Sequence, residues 1–127
     1  MTDEPLVSIL MNCYNGERFL REAVQSILDQ SYQNWELIFW DNQSTDQSAI
    51  IFKSFNDKRL KYYYSSKHTL LYEARNLAYE KTLGNFIAFL DVDDFWKNNK
   101  LEKQMKIFSE DPSVAMVYSN YYFKNEI

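Results

Sequence analysis

The stretch FIAFLDVDDFWK, Phe86 to Lys97, runs an apolar strand pattern straight into three carboxylates, Asp91, Asp93 and Asp94, within four positions. Like charges at that spacing repel one another, so the arrangement is costly unless something positive sits among them. A hard divalent cation meets the need: Mg2+ or Mn2+ takes carboxylate oxygens on one side and diphosphate oxygens on the other. Asp94 also suits a plainer role, as an acid near a helix start. Asp91 and Asp93 read as a metal and ribose platform. The chain has only Gly16 and Gly84 as glycines, with no GxGxxG and no GxxxxGK[ST]. The backbone cradle that glycine-rich loops offer a phosphate is therefore missing, and a cation between the acids would supply that charge instead.

Other candidates follow the remaining strands. Asp41 closes a second apolar run, where it caps the next loop or accepts a hydrogen bond from a nucleobase N–H. Tyr14 follows the first run; its ring packs locally or stacks on a base. Arg75 lies on a helix and is either a solvated cation or a partner for the site acids or a phosphate. His68, in a polar loop, reads as solvated rather than as a metal ligand. Cys13 reads as a small buried filler, since no base is positioned to activate it.

These residues need elements to bring them together. Val7–Asn12, Glu36–Trp40, Leu60–Tyr64, Phe86–Leu90 and Val114–Ser119 read as five strands. The segments 17–30, 46–55 and 71–83, and one opening at Asn98 or Asn99, carry apolar residues at helical spacing. Ser44 or Thr45 is expected to cap the second helix, and Gly84 to end the third in a left-handed conformation. At least one ring of Tyr62-Tyr63-Tyr64 is expected in the core. Strand and helix alternate throughout, which gives an α/β fold with a mostly parallel sheet. In such sheets ligands bind beyond the carboxyl ends of the strands, where Asn12 to Asn15, Asp41-Asn42, Ser65 to His68 and Asp91 to Asp94 all fall.

Composition sets the outer limits. The chain has 127 residues, 46% of them hydrophobic and 17% aromatic, enough for one core and not two. A net charge of -4 argues against a nucleic-acid partner. A single cysteine excludes an internal disulfide and a cysteine zinc cage. No apolar run approaches the ~18 residues of a membrane span, and the acidic opening MTDEPL is not a signal peptide. The chain leaves its last strand pattern with Tyr121, Tyr122 and Phe123 and then stops, so a fragment of a longer enzyme is expected. An uncovered fifth-strand edge would promote self-association.

The segments VSILMNCYNGERFLREAVQSILDQSYQNWELIFWDNQSTD and EARNLAYEKTLGNFIAFLDVDD closely resemble family 2 glycosyltransferases of the GT-A fold, over nearly the whole chain from Val7 to about Tyr118. The resemblance implies one domain over 1–127 that forms the donor-binding half, with the acceptor half absent. It implies a nucleotide-diphospho-sugar donor, with uridine as the family's commonest base, and Mn2+ or Mg2+ as cofactor. By position, Tyr14 lies against the base, Asp41 contacts the base edge and Asn12 touches the base. Arg75 supports the donor site, Asp93 is the direct metal ligand, and Asp91 lies nearer the ribose. The resemblance further implies transfer to an acceptor hydroxyl with inversion, a saccharide or lipid-linked acceptor, and polysaccharide or glycoconjugate synthesis. The expected location is the cytoplasm, at the inner face of the membrane. The family's general base comes after the fifth strand, beyond residue 127, so weak or no transfer is expected from these residues alone. Two departures stand out. Asp41-Asn42-Gln43-Ser44 replaces Asp-Asp-Gly-Ser, which is expected to change the loop while leaving Asp41 in place. His68 to Tyr72 lacks the glycine often found before the Ala-Arg-Asn segment.

Rival classes match less well. A phosphatase with an aspartate nucleophile would carry Asp-x-Asp after its first strand, not its fourth. A receiver-type signalling domain would need acids where Asn12 to Asn15 stand. A nucleotidyltransferase would show a glycine-rich first loop. A nucleotide-sugar-binding module without catalysis is the remaining alternative.

Overall fold

The computed structural model describes residues 4–124. Its elements run β1 (Val7–Cys13), α1 (Leu20–Leu28), β2 (Trp35–Asp41), α2 (Ser48–Lys53), β3 (Leu60–Tyr64), α3 (Leu71–Tyr79), β4 (Phe86–Phe89) and α4 (Lys100–Glu110). The four strands form one parallel sheet in the order β3-β2-β1-β4. Expectation and structure agree on an α/β fold with a parallel sheet.

β1 and β2 are central, which is why both read as nearly continuous apolar runs. Their side chains alternate between two cores. Ile9, Met11, Leu37 and Phe39 pack with Leu20, Val24 and Ile27 of α1, Phe52 of α2 and Leu101 of α4. Leu10, Ile38 and Trp40 pack on the opposite face against Ala74 and Ala78 of α3. The small side chains of α3 let that helix lie close to the sheet. The tyrosine run of β3 divides the same way: Tyr62 joins the first core, Tyr63 the second, and Tyr64 is exposed.

Three local expectations need correction. No strand forms at 114–119: Met116 and Tyr118 are exposed, and the Val114 N–H bonds back to the Asp111 carbonyl. A strand needs a ladder partner, and among the described residues none lies beside this segment. The second helix is not capped by Ser44 or Thr45; it starts after Gln47, and Asp46 Oδ1 accepts the Ser48 N–H at 2.9 Å. Gly84 has no positive φ, and α3 ends earlier, at Tyr79. Space fixes this glycine: a Cβ here would lie 2.6 Å from Ser8 Oγ and 2.7 Å from the Leu6 carbonyl. No helix among the described residues is long and apolar enough to cross a membrane.

Candidate functional site

The carboxyl ends of β1, β2 and β4 and the loops that leave them build one edge of the sheet. Asp91, Asp93 and Asp94 leave β4 within a tight turn, where the Asp94 N–H bonds the Asp91 carbonyl at 3.1 Å. One oxygen from each carboxylate lies within 4.8 Å of the others, and all three residues are exposed. Ligands on opposite sides of one Mg2+-sized ion stand ~4.2 Å apart, so small side-chain rotations would let the three share a cation. The donor set is all hard oxygen, which fits Mg2+ or Mn2+ and not a soft metal. Among the described residues no hydrogen bond reaches these carboxylates. Partial burial, with the charges of Asp93 and Asp91 beside it, pushes the Asp94 carboxyl above its ordinary range.

Arg75, on α3, reaches this cluster. Its Nη2 lies 3.6 Å from Asp91 Oδ1, and its guanidinium stands 5.9 Å from the centre of the Phe89 ring. Of the two sequence readings for Arg75, the structure gives the salt bridge. Both partners are well exposed, so the pair contributes well under ~1 kcal/mol to stability and serves to offset charge.

Two clefts meet at Asp91 and Asp93. One, of about 460 Å3, is lined by Asn12, Tyr14, Arg18 and Leu71 together with the two acids. The other, of about 830 Å3, runs past Arg75 and Trp96 to the N-terminal part of α4 and residues 119–124. The first therefore gathers Asn12, Tyr14, Asp91 and Asp93, and the second adds Arg75. The Asn12 side-chain N–H group is buried without a hydrogen-bond partner. A buried donor without a partner costs about 1–3 kcal/mol, and one lining a cleft is positioned for a ligand acceptor. Tyr14 is exposed, with its ring edge-on to His68 at 4.5 Å between centres. His68 is itself exposed, and its Nδ1 lies 2.9 Å from the Asn42 carbonyl.

Asp41 stands apart from the rest of the predicted set. Its side chain is fully buried and lines neither cleft. Oδ1 accepts the Ser44 N–H at 2.7 Å, and Oδ2 accepts the Tyr62 hydroxyl. Burial and this hydrogen bond push the Tyr62 hydroxyl far above the usual phenol range. Of the two roles read from sequence, loop capping is the one seen. Each oxygen of the buried carboxylate already accepts one hydrogen bond.

In the 42–45 loop Gln43 sits at φ 66°, the left-handed conformation that glycine favours, so a non-glycine residue carries the strain of the turn. The β1 and β2 exits are then laced together by residues that the sequence reading did not single out. Asn15, at φ 53°, donates its N–H to Ser44 Oγ at 2.9 Å and accepts the Thr45 N–H at 2.8 Å. Gly16 donates to Ser48 Oγ at 2.9 Å, and a Cβ at Gly16 would lie 2.8 Å from Val92. The density of Asn, Ser, Thr and Asp in 12–15 and 41–48 was the available signal. Cys13 is buried, its thiol pushed up by burial, in agreement with a packing role.

Comparison with known proteins agrees with this geometry. The family model described as glycosyl transferase family 2 matches residues 8–127. An uncharacterized glycosyltransferase of Haemophilus influenzae is 44% identical over 121 residues, covering 94% of this chain and 48% of that protein. A UDP-Glc:alpha-D-GlcNAc-diphosphoundecaprenol beta-1,3-glucosyltransferase of Escherichia coli is 39% identical over 119 residues, covering 94% of this chain and 47% of that one. The crystal structure of S. aureus TarS in complex with UDP-GlcNAc superposes with a TM-score of 0.76 at 25% identity, over 82% of this chain and 31% of that one. The chain spans about half the length of the curated relatives it matches. With its parallel sheet, its acid cluster beyond β4 and a family match over nearly every residue, the chain belongs to glycosyl transferase family 2 and has the GT-A fold.

Proposed function

We propose that these residues form the donor-binding half of an inverting, metal-assisted glycosyltransferase that takes a UDP-linked sugar. The observation that carries the reading is the meeting of two clefts at Asp91 and Asp93, with an unpartnered Asn12 donor in one of them. Base and ribose occupy the smaller cleft, with Tyr14 against the base, Asn12 donating to it and Asp91 near the ribose. Asp93 and Asp91 hold Mg2+ or Mn2+. When bound, the ion stabilises the charge that develops on the departing diphosphate. Arg75 orients Asp91 and keeps a positive charge at the same place. The larger cleft faces the acceptor, whose hydroxyl attacks the anomeric carbon in line. Its general base belongs to the part of the relatives that these residues do not cover. The lipid-linked acceptor named for the Escherichia coli relative supports a reaction at the cytoplasmic face of a membrane.

Calorimetric titration of the chain with UDP, with and without Mn2+, tests the reading. Binding that needs Mn2+ and prefers UDP to GDP is expected, and it should be lost in Asp93→Ala. UDP binding that is indifferent to both the ion and the substitution would overturn the metal assignment.

A further inference from the structure

The Glu36 side chain is buried near the start of β2, in a strand that is otherwise apolar apart from its terminal Asp41. It lies at the amino end of the sheet, away from the acid cluster. Lys61 of β3 donates to Glu36 Oε2 at 2.5 Å. Ser8 Oγ of β1 and the Leu83 N–H, just before β4, donate to Oε1 at 2.6 Å and 2.7 Å. The Ser8 hydroxyl in turn accepts the Gly84 N–H at 2.8 Å. One carboxylate thus reaches all three other strands or their approaches, across the order β3-β2-β1-β4.

One of the strands whose approach it holds is the one that delivers the acids. β4 is four residues long, sits at a sheet edge and has no buried residue. Burial specifies register where one face is hidden from water, and here it does so weakly. A slip of two residues, the smallest that keeps every side chain on its own face, would move Asp91 to Asp94 by ~6.6 Å. The contacts at 83–86 oppose such a slip: Asn85 and Phe86 both donate to the Leu6 carbonyl, at 2.9 Å and 3.3 Å. Gly84 is packed so closely against Ser8 and Leu6 that no side chain fits. An ionised Glu36 accepts all three donors without rearrangement.

We propose that Glu36, with Ser8 and Gly84, is a positioning group that fixes the register of β4 and thereby sets the Asp91–Asp93–Asp94 cluster in its metal-binding arrangement. The claim rests on the metal reading above only for its functional consequence; the register itself is tested separately. Glu36→Gln keeps the shape but sets an amide donor against Lys61 or Leu83. Ser8→Ala removes the link between Glu36 and Gly84. Ile27→Val trims the core from α1 without removing any of the Glu36, Ser8 and Gly84 contacts, and serves as the control. Two readouts are needed: Mn2+ affinity by electron paramagnetic resonance titration, and amide hydrogen exchange at 86–90. Glu36→Gln and Ser8→Ala should weaken Mn2+ binding several-fold, through the displaced register, and speed exchange selectively at 86–90. Ile27→Val should do neither. Unchanged exchange at 86–90 in both clamp variants, or an equal change in Ile27→Val, would overturn the proposal. A wild-type chain that takes up no Mn2+ would contradict the metal reading instead, and exchange alone would then decide the register.

Discussion

The two ends of the sheet treat their carboxylates in opposite ways. At the amino end Glu36 is buried, and three donors converge on it. At the carboxyl end Asp91, Asp93 and Asp94 are exposed and close together, with the offset Arg75 guanidinium beside Asp91 and the charge of Lys100 acting on Asp94. Backbone strain falls on the second end too, at Asn15 and Gln43. Asn12 leaves its donor unsatisfied there as well. The contrast separates acids that hold the fold from acids kept ready for a ligand.

The largest expected effect breaks the first end. Glu36→Ala strands the Leu83 N–H, the Ser8 hydroxyl and the Lys61 ammonium. It should cost about 3 kcal/mol in urea unfolding, at the low end for a buried pair because Lys61 can turn to solvent. A cost within ~0.5 kcal/mol of zero would mean that the amino end does not depend on the carboxylate.

A pH titration of stability should sharpen the contrast, because Glu36 and Asp94 carry opposite signs. Burial alone would raise the Glu36 carboxyl, but the hydrogen bonds from Lys61, Ser8 and Leu83 outweigh it and hold it below the ordinary range. The unfolded state then binds more protons than the folded one, so this contribution is full above the unfolded value and is lost as pH falls through the folded one. Asp94 is raised, so in the metal-free chain its unfavourable contribution sets in as pH rises from its unfolded value through its folded one. Urea unfolding of wild type and Glu36→Gln across pH 3–7 (roughly the carboxylate range) should show a shallower acid limb in the variant, with Asp46 and Asp57, also held low, contributing to what remains. An acid limb of unchanged steepness would show that Glu36 does not contribute to it.

The smallest effect tests the strain at the second end. Gln43→Gly relieves a left-handed residue that costs about 1–2 kcal/mol, against about 0.5–1 kcal/mol of added unfolded-state freedom. A net gain of roughly 0.5 kcal/mol is expected in thermal unfolding, and a loss would show that the Gln43 side-chain contact to the Ser65 carbonyl outweighs the strain.

How much of this could be read from the residues depended on how local the signal was. The four strands were legible to within a residue or two because apolar or aromatic runs mark them, and because the sheet hides β1 and β2 on both faces. The acid cluster was legible because its spacing has no comfortable structural use. Val114–Ser119 carries a strand pattern, but pairing is a property of two segments, and no partner stands beside it. Gly84 was assigned the wrong reason: its neighbour in space, Ser8, is 76 positions away. Glu36 was passed over as the first residue of ELIFW. A charge in an otherwise buried strand, with Ser8 and Lys61 each second in their own strands, was the signal that could have exposed the clamp. Asp41 was found by position, yet its burial under Tyr62 and the 42–45 loop could not be foreseen from sequence.

The most direct test of the division between holding acids and ligand acids is thermal melting of wild type and Asp93→Asn, each with and without Mn2+ and UDP. That division predicts that Asp93→Asn melts at or slightly above wild type in the absence of metal, because a repelling charge is gone. It also predicts that only wild type gains several degrees from Mn2+ with UDP. A variant that melts well below wild type without metal, or gains as much from the ligands, would contradict it.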